Sequence, residues 1–160
     1  DLFGGIRNVF SYKKWTLDTF AHFSIGNTMF NGSVAESYYA RGAYLNLLPE
    51  LKDRWTDENY MSDIPRAGTA FGTYVTTNET SFQDASFFRL KNVTLTYDLD
   101  NPPFVRDASI YVSAQNLLLI SDYKWGDPEV SQYGNQLNRG VSDSSYPYSS
   151  SVSLGLNIKF

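Results

Sequence analysis

The 160-residue sequence has no cysteine, so neither a disulfide framework nor a thiolate metal site is available to it. It contains no uninterrupted apolar run of about 18 residues, which excludes a membrane-spanning helix. A spanning β-strand needs only about 9 to 11 residues with every second one apolar, so the mean hydropathy of -0.35 leaves a membrane β-barrel open. Charge is also scarce, at 19% of residues, below the roughly 25% of soluble domains. The 13 basic residues are scattered and outnumbered by 17 acidic ones. Phosphate recognition needs clustered Lys and Arg, so no nucleic-acid partner is expected.

Aromatic residues, by contrast, reach 16%, led by 12 Tyr and 11 Phe. Strict two-residue alternation is clearest at the end, where Val152, Leu154, Leu156, Ile158 and Phe160 alternate with Ser151, Ser153, Gly155, Asn157 and Lys159. Ala108, Ile110, Val112 and Ala114 alternate in the same way, as do Val93, Leu95, Tyr97 and Leu99. Near the start, Trp15, Leu17, Thr19, Ala21, Phe23 and Ile25 share one side, and an earlier strand carries Ile6, Phe10 and Tyr12 together. Asn8 and Phe20 interrupt the pattern. These segments predict strands near 2–12, 15–25, 87–99, 108–118 and 150–160.

The connections alternate in length. Lys13-Lys14 and the turn around Asn101-Pro102-Pro103 are short, whereas 26–86 and 119–149 are long. Periplasmic turns on one side and extracellular loops on the other are the build of an outer-membrane barrel, and a soluble sandwich has no reason to sort its connections so. The expected class is therefore all-β: an antiparallel up-and-down transmembrane barrel with two long extracellular loops. Five strands are an odd number, and single-chain bacterial barrels have an even one, so the chain is expected to be part of a longer polypeptide.

A strand survives in hydrocarbon only when every backbone N–H and C=O is bonded within a closed sheet. The residues expected to meet lipid are Trp15, Leu17, Val93, Leu95, Ile110, Val112, Val152, Leu154, Leu156 and Ile158. The opposite face is mostly Ser, Thr, Asn and Gln, with Arg7 turned to the lumen and His22 in a structural place on the lumen side. Arg89 and Lys91 share the parity of Val93. They are expected at headgroup level, snorkelling toward lipid phosphates. Trp15 and Tyr97 fit an aromatic rim, and the terminal Phe160 fits a barrel-assembly signal.

No catalytic residue, cofactor or metal is expected. His22, the single histidine, lacks partners at any zinc or triad spacing. Asp57-Glu58 and Asp127-Pro128-Glu129 are the closest carboxylate pairs, and both read as solvated loop groups. The loop aromatics Tyr123, Trp125, Tyr133, Tyr146 and Tyr148 are candidates for stacking on a sugar ring or a peptide side chain, and 38–51 is unusually apolar for a loop in water.

Several segments in order resemble one family. They are Asp53-Arg54-Trp55-Thr56-Asp57-Glu58-Asn59, Ser62-Asp63-Ile64-Pro65-Arg66-Ala67, and Phe87 through Tyr97. Ile110 through Leu117, Asp127-Pro128-Glu129-Val130, Tyr146-Pro147 and the ending Gly155 through Phe160 continue the match. Together they resemble the C-terminal part of the SusC/RagA class of TonB-dependent outer-membrane transporters of Bacteroidetes. The resemblance implies a plugged barrel of about 22 strands. It also implies import of oligosaccharides or peptides, energy coupling to TonB through a portion absent here, and a SusD-like surface lipoprotein as lid. The loop aromatics and 38–51 would then touch substrate or lid. The rival readings are a soluble secreted β-sandwich that binds glycans and a glycoside hydrolase piece, which would need two carboxylates on one cleft.

Overall fold

The computed structural model describes residues 1–32, 34, 49–64, 66, 81–100, 104–124, 126–129, 140–142 and 145–160. These fall into two compact units, Asp1–Asn27 with Ala85–Asp122 and Pro147–Phe160, and Thr28–Asp84 with Tyr123–Tyr146.

The first unit is a five-stranded antiparallel sheet. Its strands are β1 (Leu2–Tyr12), β2 (Trp15–Ile25), β5 (Phe87–Asp98), β6 (Asp107–Ser121) and β8 (Ser151–Lys159), in the order β1-β2-β5-β6-β8. Neighbours in space are neighbours along this part of the chain, the up-and-down arrangement. The alternating segments became strands because period two puts one class of side chain on each face of a pleat. Lys13, at φ 55°, makes the tight turn between β1 and β2, in the left-handed region that two-residue hairpin turns use. Near that turn Lys14 pairs with Asp100, and Asp98 N–H donates to the Lys14 carbonyl at 3.0 Å. β1 and β8 are the edges, each with one side of its backbone ladder unpaired within the sheet.

The sheet is not half of a sandwich. Val112 and Leu154 are paired across β6 and β8, yet Leu154 is 76% and Val112 43% exposed, so no second layer covers them.

The second unit holds strands within the segments expected to be loops: β3 (Thr28–Asn31), β4 (Phe82–Asp84) and β7 (Val141–Ser142), in the order β4-β3-β7. β3 pairs with β7 in parallel, Phe30 opposite Val141. Two to four residues carry no readable period, and the partner lies far along the chain, so local pattern does not announce them. Met29, Val34, Leu51 and Tyr123 are buried here together with Asn31, Ser81, Asp127 and Ser142. Asn31 is the polar hub: its Nδ2 donates to the Lys124 carbonyl at 2.9 Å, and its Oδ1 accepts from Val34 N–H at 3.1 Å.

The segment after the 3-10 helix Pro49–Asp53 ties itself together. Trp55 N–H donates to the Ile64 carbonyl at 2.8 Å, Asn59 Nδ2 to the Asp53 carbonyl at 2.9 Å and Asn59 N–H to Thr56 Oγ1 at 3.0 Å. Thr, Asn and Ser recur there because short polar side chains can bond nearby backbone and replace a regular ladder.

Candidate functional surfaces

The cross-strand registers sort the five-stranded sheet into two chemically distinct faces. One row runs Phe10, Leu17, Leu95, Val112 and Leu154 from edge to edge; the next runs Tyr12, Trp15, Tyr97, Ile110 and Leu156. Val93, Ala114 and Val152 form a third with Asn8 and Thr19, and Ile158 lies beside Ala108. The ten residues expected to meet lipid all lie on this one face of the sheet. Trp15 and Tyr97 touch at 4.6 Å between ring centroids, tilted by 49°, a favourable offset geometry. Phe160 is 90% exposed beyond the end of β8.

The other face is polar and internally bonded. Arg7 clamps Asp18 with two parallel hydrogen bonds, Nε to Oδ1 at 3.0 Å and Nη2 to Oδ2 at 2.7 Å. Asn92, Thr94 and Ser113 close a small ring: Thr94 and Ser113 hydroxyls meet at 2.9 Å, and Ser113 donates to Asn92 Oδ1 at 3.3 Å. Phe20, the aromatic that broke the alternation, lies on this face over Gly5, where an added Cβ would come within 3.0 Å of its ring. His22 stacks beside Phe20 and meets Phe87 edge-on at 5.2 Å.

Arg89 requires a correction. Parity counted back from Val93 puts it on the apolar side, but the ladder slips: Phe20 pairs with Asn92 while Ala21 pairs with Leu90. Lys91 is the extra residue of this β-bulge, and a single inserted residue reverses the facing of everything beyond it. Leu90 and Phe88 thus join the apolar face, while Arg89 lies opposite His22 on the polar one. Arg89 is only 2% exposed, so it does not snorkel. Its guanidinium lies 5.5 Å from the centre of the Tyr148 ring, and the Lys91 ammonium lies 4.9 Å from the same ring, both within cation–π range.

The loop aromatics do not form one group. Tyr123 is buried in the second unit at 7% exposure, so it is part of a local core and not a presented contact. Burial raises its phenol above the usual tyrosine range, and the neighbouring Ser142 side chain acts in the opposite direction. Tyr148 belongs to the first unit, half-exposed beneath its two cations, and Tyr146 is 86% exposed. Trp125, Tyr133 and most of 38–51 lie outside the described residues. Leu51, at the end of that apolar stretch, is buried.

Among the carboxylates, Asp57 and Glu58 are exposed in their turn, and Asp127 is buried with Oδ1 accepting from Glu129 N–H at 3.0 Å. That is an Asx turn, a backbone-shaping role. Among the described residues no group of three or more His, Cys, Asp or Glu is placed to hold a metal ion.

No protein-family model matches the chain. It is 36% identical over 168 residues to the TonB-dependent receptor P26 of Formosa agariphila, an alignment covering all of this chain and 17% of that protein. It is 30% identical over 170 residues to the TonB-dependent receptor P3 of the same organism, covering 98% of this chain and 16% of that one. Among solved structures it matches the RagAB peptide importer in its open-open and closed-closed states, with 29% identity and a TM-score of 0.76 in each. Those matches cover 99% of this chain and 17% of the importer chain. The chain thus spans about a sixth of the length of these relatives, which are receptors and transporters and not enzymes. Similar end to end to the receptors in sequence and to the importer in fold, the chain belongs with the SusC/RagA-like TonB-dependent receptors, as a C-terminal part of one.

Proposed function

We propose that this chain is a section of the wall of a TonB-dependent outer-membrane importer, its apolar face against acyl chains and its polar face toward the lumen. The observation that carries the reading is the continuous apolar face on an open sheet. From the Tyr12–Trp15 row to the Leu2–Ile25 row each strand advances ten residues. At about 3.3 Å per residue and a tilt of about 40°, that run rises about 25 Å, the height of a barrel's apolar band. Trp15, Tyr97 and Tyr12 stand at one margin of this face, Phe23 and Phe88 near the other. The two unpaired edges would be completed by strands of the longer polypeptide, as hydrocarbon demands.

On this reading the whole receptor imports oligosaccharides or peptides by conformational change without covalent chemistry. A SusD-like lipoprotein serves as the outer lid, and TonB acts through a portion of the protein beyond this chain. The likeness to a peptide importer supports a peptide cargo as one of the two. Tyr146, the exposed side of Tyr148, and Trp125 and Tyr133 are the proposed contacts to cargo or lid. The 38–51 stretch is a proposed packing segment against the lid, and Phe160 is the proposed assembly signal.

The test is depth and side. In the full-length receptor, a bimane label on Leu154→Cys is quenched by brominated lipid while one on Ser153→Cys is not, and the unboiled receptor runs faster on a gel than the boiled one. Equal quenching at the two sites, with no heat shift, overturns the reading. Removing 38–51 without loss of lipoprotein co-purification overturns the lid contact alone.

A further inference from the structure

The final strand is underdetermined by its own pattern. β8 presents Ser151, Ser153, Gly155, Asn157 and Lys159 on the polar face and Val152, Leu154, Leu156 and Ile158 on the apolar one. Sliding it by one residue along β6 turns every side chain to the wrong face. Sliding it by two preserves both faces, exchanging one small polar residue for another and one aliphatic for another. Binary pattern therefore leaves the neighbouring even registers nearly equivalent, and something else must choose.

Two features break the tie. Tyr111 stands opposite Gly155, and its ring occupies the volume that any Cβ at 155 would enter. In either two-residue slip, Ser153 or Asn157 would face Tyr111 and drive a Cβ into that ring.

The second feature lies just past the last β6–β8 pair, Gln115 with Ser151. There Asn116 takes a left-handed φ of 51°, a conformation open to Asn at modest cost, at the level of the Leu90–Asn92 register shift. Its Nδ2 donates to the Ser149 carbonyl at 3.1 Å, and its own carbonyl accepts from Ser150 Oγ at 2.6 Å. One residue earlier, Tyr148 lies against Arg89 and Lys91. A two-residue slip moves 148–150 by about 7 Å and breaks all of these contacts.

We propose that the glycine slot under Tyr111, the Asn116 clamp on Ser149 and Ser150, and the seat of Tyr148 against Arg89 and Lys91 together form a register lock for the last strand. β8 is an edge of this sheet, so any strand that pairs with its open side inherits its register from the lock. The β5–β6 register shift, distinct from the β2–β5 bulge that turns Arg89 to the polar face, then has a purpose of its own: it sets Asn116 where its side chain forms the clamp.

Cross-linking in the assembled full-length receptor tests the lock, with linked peptides identified by mass. Directly opposed strand residues lie at disulfide distance, so Ser113→Cys with Ser153→Cys should link and Ser113→Cys with Ser151→Cys should not. With Tyr111→Ala, Asn116→Gly and Tyr148→Ala combined, the 113–151 link should rise about ten-fold, the effect of removing roughly 1.4 kcal/mol of discrimination. An unchanged 113–153 yield with no 113–151 product overturns the lock. Should the triple variant not assemble, the pairwise comparison decides: Gly155→Ala must lower the 113–153 yield and Tyr111→Ala in the same chain must restore it. Failure of that rescue overturns the lock as well.

Discussion

The two units keep their shape by different means. In the second, Met29, Val34, Leu51 and Tyr123 are buried around a hydrogen-bonded Asn31. In the five-stranded sheet the large aliphatics stay exposed, with Val152 at 70% and Leu154 at 76%, and order comes from backbone ladders and cross-strand pairs. A sheet so built is stable only if its apolar face meets something other than water. One chain thus carries both an enclosed apolar cluster and an apolar face left open.

The comparison breaks most easily at the apolar face. Leu154→Arg should destabilise the membrane-embedded receptor by about 2 to 4 kcal/mol, the depth-dependent cost of a cation against lipid. Ser153→Arg, one residue away on the polar face, should change little. Urea titration of the full-length receptor in bilayers measures both, and equal losses would remove the asymmetry between the faces.

In the second unit, Asn31→Ala leaves the Val34 N–H and the Lys124 carbonyl without this partner, a cost of about 1 to 3 kcal/mol. Hydrogen exchange should report lost protection at Val34, while the heat-dependent gel shift of the receptor stays as it was. Loss of both together would mean that the stability of the sheet depends on the Asn31 cluster.

A gentler probe is pH. Burial raises the Tyr123 phenol above its ordinary value of 10.0. Its contribution is complete below that value and is lost as pH rises through the elevated folded one, because the unfolded chain ionises first. Exchange protection in the second unit should therefore fall above about pH 10, and Tyr123→Phe should flatten that fall. The smallest effect is expected from Asp18→Asn, which removes the clamp on Arg7. Arg7 is 67% exposed, so at physiological salt the urea midpoint should not move measurably. A large shift would mean that this face is drier than its exposure indicates.

Much of the sheet was legible because alternation is a local signal. Val152 to Ile158 and Ile110 to Ala114 announce their strands, and the shared face of all ten residues follows once register is added. The candidate contacts were less legible. Tyr123, Tyr146 and Tyr148 look alike in sequence, yet one is buried, one exposed and one held by two cations. Nothing within a few residues of each tyrosine encodes that outcome.

The order of residues was enough for the five long strands, the alternation of their faces and the kinship, because alternation and motif matches are carried by residues close together along the chain. The turn of Arg89 to the polar face, the parallel pairing of β3 with β7 and the hold on Tyr148 through Ser150 came only with the fold. Each of these rests on a bulge or a contact between distant segments, and a period-two pattern carries no mark of where one extra residue will be absorbed.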